Sequence, residues 1–512
     1  MWLDAGWQAL AADAQWQSAL VASVITGTAG TLLSLALSLW ILSRVFATSA
    51  WPWSVRALPA MLALPHAAFA IGIVALLAPT GWLMRLAAPL FNWQEPPAWP
   101  TVQDPWGLSL VLVLVLKETP FLLWVCTSQL QRDDTGPRLT RELTLAHTLG
   151  HSPASAWWRL AVPQLLPRLK WPLLAVLAYA LTVVDVAQVI GPGSPPTLSV
   201  LAWQWLQSAD ARQMDQGTAA AWLLTLCLMI MAGLCWAVTQ GGWPRWVRRW
   251  WTSGVVRAHT PTRPWPAVTA LGLPYLAVVL ALLVGSVTGV WRFPDLWPQV
   301  MTLEAWSTVR SSPSVLFNTV SLAAVSAALS LLLAVVWLEL LPPQWGARLR
   351  PVVYLPLVLP AVLWVVGMHG LALRMGLDNR WLGVLIAHSV AVMPYTLIAL
   401  SPAYQGFDVR LWHTASSLGH ERWRFLWRIK WPLLRAALWS ALAVGFAVSV
   451  AQYLPTLYVG GGRISTVTTE AVTLASGGQR SLSAAFAWLQ WTLPALGFGL
   501  AAWLGRPRWK TL

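Results

Sequence analysis

Few residues of this 512-residue chain could do chemistry, and most of those lie inside apolar runs. Lys117 and Glu118 stand side by side in one run, Asp185 near the end of another, and His369 and His388 in two more. Ionisable side chains at membrane depth face a bundle interior or a watery cavity and pair with one another. Sequence neighbours cannot share a helix face, so Lys117 is expected to find a partner on another helix, with Asp185 as a candidate. Gln188 and Gln452 sit in the related segments VDVAQ and VSVAQ and could meet across a symmetry axis or act as interhelical hydrogen-bond glue. Lys117, Glu118, Asp185, Gln188 and Gln452 are therefore the candidates for a translocation pathway, against the plainer reading of satisfied buried polar groups. Covalent chemistry has no footing. No Gly-Lys dipeptide exists to cradle a phosphate, and no HExxH, GxSxG or CxxC pattern occurs. Cys126, Cys227 and Cys235 all fall in apolar runs and suggest neither a disulfide framework nor a metal pair. The chain is expected to be no enzyme and to bind no metal.

The elements that must carry these residues are membrane helices. The chain is 57% hydrophobic and 10% charged, with 39 Trp; soluble domains carry about 25% charged residues. Eleven apolar runs are long enough to cross a bilayer: 18–43, 57–79, 107–130, 171–190, 218–240, 267–290, 315–340, 352–373, 381–405, 432–453 and 484–504. On that division 24 of the 33 Lys and Arg fall on one side and 8 on the other, with Lys117 inside a run. The basic side is the cytoplasmic one, which places the N-terminus outside and the C-terminus inside. The net charge of +15 is thereby a topology signal rather than a nucleic-acid footprint. No cleavable signal peptide is visible, because Asp4 and Asp13 stand where basic residues would be needed. Pro65, Pro120, Pro360 and Pro394 predict kinks.

The chain repeats itself. Leu149, Gly150, His151, Trp158, Arg159 and Pro163 recur 269 residues later as Leu418, Gly419, His420, Trp427, Arg428 and Pro432. LALPHAAFAIGI (62–73) resembles LVLPAVLWVVGM (357–368), in the same order. The repeat predicts an all-α polytopic membrane protein of about eleven helices in two parallel, pseudo-two-fold-related halves. The first half would span 1–240 and the second 267–512, with helix 6 as an extra leading element. An Arg-, Pro- and Trp-rich cytoplasmic linker would join them over 241–266. In both long loops, 131–170 and 406–431, a short helix ends at the Gly, a residue suited to a left-handed cap. An amphipathic stretch follows, and a Pro thirteen residues on suits the start of the next membrane helix. Each loop reads as a docking knob or, alternatively, as a stretch anchored along the headgroups.

These loops resemble the EAA loop of permease subunits in binding-protein-dependent ABC importers. The pattern stands here as Thr144-Leu145-Ala146-x-x-x-Gly150 to Pro163 and His413-Thr414-Ala415-x-x-x-Gly419 to Pro432, with Thr144 and His413 replacing the leading Glu. Two such loops in one chain resemble the fused branch that includes the iron(III) and thiamine importers. The resemblance implies a type I importer permease in the bacterial cytoplasmic membrane. It implies two copies of a separate ATPase below, which hold the ATP and Mg, and a soluble substrate-binding protein above that sets most of the specificity. Thr144, Ala146, Leu149, Gly150, His151 and Pro163, with His413, Ala415, Leu418, Gly419, His420 and Pro432, would form the ATPase-coupling segments. A stand-alone secondary transporter with parallel repeats is the alternative; it would need coupling carboxylates at the midplane, where Glu118 is the candidate. A polytopic membrane enzyme would need a cluster of carboxylates or histidines that the sequence lacks.

Overall fold

Proline and short polar segments decide where the apolar runs break. A computed structural model of the chain describes residues 2–131, 135–240 and 263–506. Among the described residues the secondary structure is helical, apart from one isolated β-bridge between Thr288 and Met301. Two compact units emerge: Met1–Leu62 with Phe69–Met301, and Ala63–Ala68 with Thr302–Leu512. Most of the expected linker, including Arg245, Arg248, Arg249 and Pro261, lies outside the described residues.

The helices up to residue 301 run in chain order as α1 (Trp2–Ala12), α2 (Trp16–Val45), α3 (Trp51–Ala63), α4 (His66–Leu77), α5 (Trp82–Phe91) and α6 (Leu108–Leu130). Then come α7 (Gly136–Thr148), the mixed helical run α8 (Pro153–Arg168), α9 (Lys170–Thr182), α10 (Asp185–Ile190), α11 (Leu198–Leu206), α12 (Ala211–Gln240) and α13 (Trp265–Gly285). The sequence reading does not anticipate α1. Its 11 residues are too few to cross a bilayer at about 1.5 Å each. It lies close against α12, where a Cβ on Gly6 would stand 2.5 Å from the Asp215 carbonyl oxygen. Helix α13, expected at the head of the second half, packs within the first unit. There the Tyr275 hydroxyl donates to the Leu116 carbonyl at 3.2 Å and its ring lies 4.7 Å from Phe69.

The remaining helices are α14 (Glu304–Arg310), α15 (Pro313–Leu340), α16 (Gln344–Val358), α17 (Ala361–Arg374), α18 (Trp381–Gln405) and α19 (Arg410–Ser417). They continue as α20 (Arg422–Leu433), α21 (Arg435–Val450), α22 (Leu454–Gly460), α23 (Val467–Ser476) and α24 (Arg480–Gly505).

Among the described residues, seven helical spans are long and apolar enough to cross a membrane, or ten if each of three bent pairs is one span. The eleventh expected span lies in α24, whose 26 residues suffice in length but carry Trp488, Gln490 and Trp491 near the middle. Four expected spans are not single rods. Run 57–79 breaks at Leu64-Pro65, and run 352–373 at Leu359-Pro360, where Leu359 is extended; a residue before proline avoids the α region. Run 171–190 breaks at Val183, and run 432–453 breaks at Leu434 and again before Leu454. Pro120 and Pro394 stay inside continuous helices, so two of the four expected kinks are breaks and two are not.

The repeat also appears as recurring hydrogen bonds. In the first unit the Leu198 backbone N–H donates to Ser23 Oγ at 2.8 Å; in the second, Val467 N–H donates to Thr319 Oγ1 at 2.8 Å. Eleven residues further along α2 and α15, Ser34 Oγ donates to the Val115 carbonyl at 3.5 Å and Ser330 Oγ to that of Ser389 at 3.3 Å. Buried hydroxyls at small-residue helix contacts satisfy backbone groups that water cannot reach.

Candidate functional site: two helix-glycine-helix loops

Both loops end their first helix in the same way. In α7 the Gly150 N–H donates to the His147 carbonyl at 3.0 Å and the His151 N–H to that of Ala146 at 3.0 Å. In α19 the Gly419 N–H donates to Ser416 O and the His420 N–H to Ala415 O, each at 3.0 Å. This crossed pair is a Schellman cap, which needs a left-handed residue at its centre. Gly150 has φ +87° and Gly419 φ +79°. A Cβ on Gly419 would meet nothing within 4 Å, so conformation rather than space requires glycine there.

The caps orient an apolar tip. Ala146 and Ala415, whose carbonyls accept from the His151 and His420 N–H groups, are 6% and 4% exposed and pack inward. Leu149 and Leu418 at the cap are each 74% exposed. Thr144, His413 and His420 are exposed too, while His151 is half-buried. Thr144 Oγ1 merely donates to the Thr140 carbonyl at 2.8 Å on its own helix. Glu142, two residues earlier, accepts from Gln164 Nε2 at 2.7 Å and from Arg138 Nε at 2.8 Å, tying α7 to α8. Those bonds, Gln164's first, hold the Glu142 carboxyl below its ordinary range.

Pro163 and Pro432 do not open membrane helices, as the spacing suggested. Each lies inside its amphipathic helix, just after a π-helical segment: Trp157–Ala161 in α8 and Leu426–Lys430 in α20, 269 residues apart. Val162 and Trp431 donate five residues back, to the carbonyls of Trp157 and Leu426. The extra residue moves the carbonyl that a proline ring would otherwise strike. The membrane helices follow a bend of 70° between α8 and α9 and of 76° between α20 and α21.

The loops differ in how they are held. In the first, buried Trp157 donates from Nε1 to the Leu39 carbonyl of α2 at 3.1 Å, with Phe46 against its ring. In the second, Glu339 of α15 gathers Lys430, Arg422 and Tyr404 around one carboxylate. Sequence reasoning missed this group; its signal was a lone carboxylate at the end of an apolar run, facing a basic loop.

Lys117 and Glu118 are 2% and 6% exposed within α6. Lys117 Nζ donates to the Met61 carbonyl at 3.2 Å, in the last turn of the broken helix α3, and stands 5.6 Å from the Tyr275 ring and 5.9 Å from that of Phe69. A cation at a helix C-terminus is stabilised by the carbonyls there. Asp185 and Gln188 lie half-buried on α10. Gln452 lies half-buried in the break between α21 and α22, its Nε2 donating to Val448 O at 3.2 Å. That break is stapled by His388, whose ring nitrogens hydrogen-bond Ser449 Oγ and Thr456 Oγ1, each at 2.8 Å. His369 pairs with Asp378 at 2.9 Å.

No protein-family model matches the sequence. Over 510 residues the chain is 36% identical to the inner membrane ABC transporter permease protein YnjC of Escherichia coli strain K12, covering 98% of this chain and 91% of that one. It is 31% identical over 188 residues to the molybdenum transport system permease protein ModB of Mycobacterium bovis, covering 34% and 70%. It is also 31% identical over 134 residues to the thiamine transport system permease protein ThiP of Brucella suis biovar 1, covering 23% and 24%.

Proposed function

This chain belongs to the family of ABC transporter permeases, and from that membership we propose how it engages its partners. It is the transmembrane permease of an ABC importer, a multi-pass inner-membrane protein and a transport component rather than an enzyme. Permeases of this family work with an ATPase and a substrate-binding protein. In our reading two ATPase copies dock on this chain, one on each loop, and they alone hold ATP and Mg. The observation that carries it is the duplicated Schellman cap, which presents Leu149 and Leu418 with equal exposure of 74%. Thr144, Ala146, Gly150, His151 and Pro163 shape the first knob; His413, Ala415, Gly419, His420 and Pro432 shape the second. Asp185, Gln188 and Gln452, on short helices or breaks beside the membrane spans, line or gate the translocation route, with Lys117 and Glu118 setting the geometry of α3 and α6 behind it.

Valine at Gly150 and Gly419 together tests the coupling role. A β-branched residue at positive φ costs about 1–2 kcal/mol and tilts the tip without touching a membrane span. The double variant is expected to insert normally and to co-purify with markedly less ATPase. Wild-type stoichiometry would refute the docking assignment and favour headgroup anchoring.

The orientation follows the charge bias, N-terminus outside and C-terminus inside. In a variant lacking the native cysteines, a cysteine at Ser49 is expected to be shielded from an impermeant thiol reagent in intact cells, and one at Ser476 to be labelled; the two residues are exposed in the fold. The opposite pattern would invert the topology.

A further inference from the structure

We propose that Glu339 is a positioning residue that locks the second coupling loop to α15, making that loop a stiffer lever than the first. The inference rests on the coupling role given above. Glu339 is the penultimate residue of α15, and its side chain is only 11% exposed. Its Oε2 accepts from Lys430 Nζ at 2.6 Å and from the Tyr404 hydroxyl at 2.7 Å. Its Oε1 accepts from Arg422 Nη2 at 3.0 Å, and the same guanidinium nitrogen donates to the Glu339 backbone carbonyl at 2.9 Å. Lys430 Nζ also lies 4.0 Å from the centre of the Tyr404 ring, and Trp431 Nε1 donates to the Tyr404 hydroxyl at 3.3 Å. One carboxylate thus fixes α20 at both ends to α15 and α18. Charge-assisted bonds of this kind are short and directional, and losing one partner of a shielded pair leaves the other charge uncompensated.

Among the described residues, the positions of the first loop that match this clasp by the repeat carry other side chains. The matched contacts of α2 and α15 set Ser23 and Ser34 against Thr319 and Ser330, which puts Ser43 at the place of Glu339. Val115 and Ser389, the acceptors of those serines, put Leu130 at the place of Tyr404. The loop repeat puts Pro153 and Ala161 where Arg422 and Lys430 stand. Ser43 Oγ donates only to the Trp40 carbonyl of its own helix, at 2.6 Å. The first loop meets α2 through the neutral Trp157 bond, and Glu142 ties its α7 to α8. A push on α19 therefore passes to α15 as a rigid displacement, whereas a push on α7 is partly absorbed where α8 meets α2.

Spin-label distances within each unit test this on the full chain bound to its ATPase in nanodiscs, with the native cysteines replaced. One pair joins Ser417 to Leu329, the other its repeat equivalents Thr148 and Leu33; all four residues are exposed. The Ser417–Leu329 distribution is expected to be narrow and to keep its mean when the complex is trapped with MgATP and vanadate, while Thr148–Leu33 is broader. Glu339→Gln is expected to broaden the second-loop distribution to the width of the first, with Lys430→Arg leaving it narrow. The double variant Glu339→Gln/Lys430→Met, which removes both charges and so spares the fold, is expected to be as broad as Glu339→Gln alone. A Glu339→Gln or double-variant distribution as narrow as wild type overturns the clasp. ATPase co-purification separates this from the docking reading: variants at Leu149 and Leu418 that keep full ATPase stoichiometry refute docking, whatever the distances show.

Discussion

Aspartate at Leu149 and Leu418 together is expected to strip the ATPase from the purified complex, while the chain still inserts and resists proteolysis as the wild type does. Both leucines are 74% exposed on short polar helices, so the folded chain loses little when they change. A partner socket that takes an apolar tip must instead desolvate a carboxylate at each loop. Burying a charge without a partner costs several kcal/mol, and about 1.4 kcal/mol is already tenfold in affinity. Loss of at least a hundredfold in ATPase association is therefore expected for the double variant. Each single variant should show its own partial loss, unequal because the loops differ in sequence and in anchoring. Undiminished association would mean that the tips face lipid headgroups or water.

The second large effect is expected at Lys117. Lys117→Met removes the one cation bonded to the Met61 carbonyl at the break of α3, and with it the opposite charge beside buried Glu118. Removing one member of a buried charged set typically costs about 3–5 kcal/mol. The thermal midpoint in nanodiscs should fall by several degrees. Lys117→Met/Glu118→Gln, with neither charge left to bury, should recover a good part of the loss. Equal midpoints for Lys117→Met and wild type would show that the lysine is kept for the pathway rather than for the fold. The same residue illustrates the difference between a candidate pathway and a candidate support. Its burial suits either role, but its bond to a helix-end carbonyl is what a support requires.

Much of this molecule can be derived from composition and order alone. Helices that must satisfy every backbone group internally leave a long apolar signal, so the all-α membrane architecture follows from runs of about 20 residues. The loops follow from a pattern that recurs at a fixed offset, because a left-handed cap accepts little but glycine and so marks Gly150 and Gly419 in one dimension. Tertiary contacts decided what no spacing encodes. Proline at 65 and 360 breaks a helix and at 120 and 394 does not, since a kink persists only where neighbours satisfy the freed carbonyls. Pro163 and Pro432 sit after π segments that hide them inside a helix, a register shift invisible in the residue order. The boundary of the first unit lies beyond α13 because Tyr275 packs on α4 and α6, not because of any linker composition. Glu339 and Lys430 are 91 residues apart, and only the fold brings one carboxylate within 2.6 Å of one ammonium group, the distance at which their charges hold a loop in place.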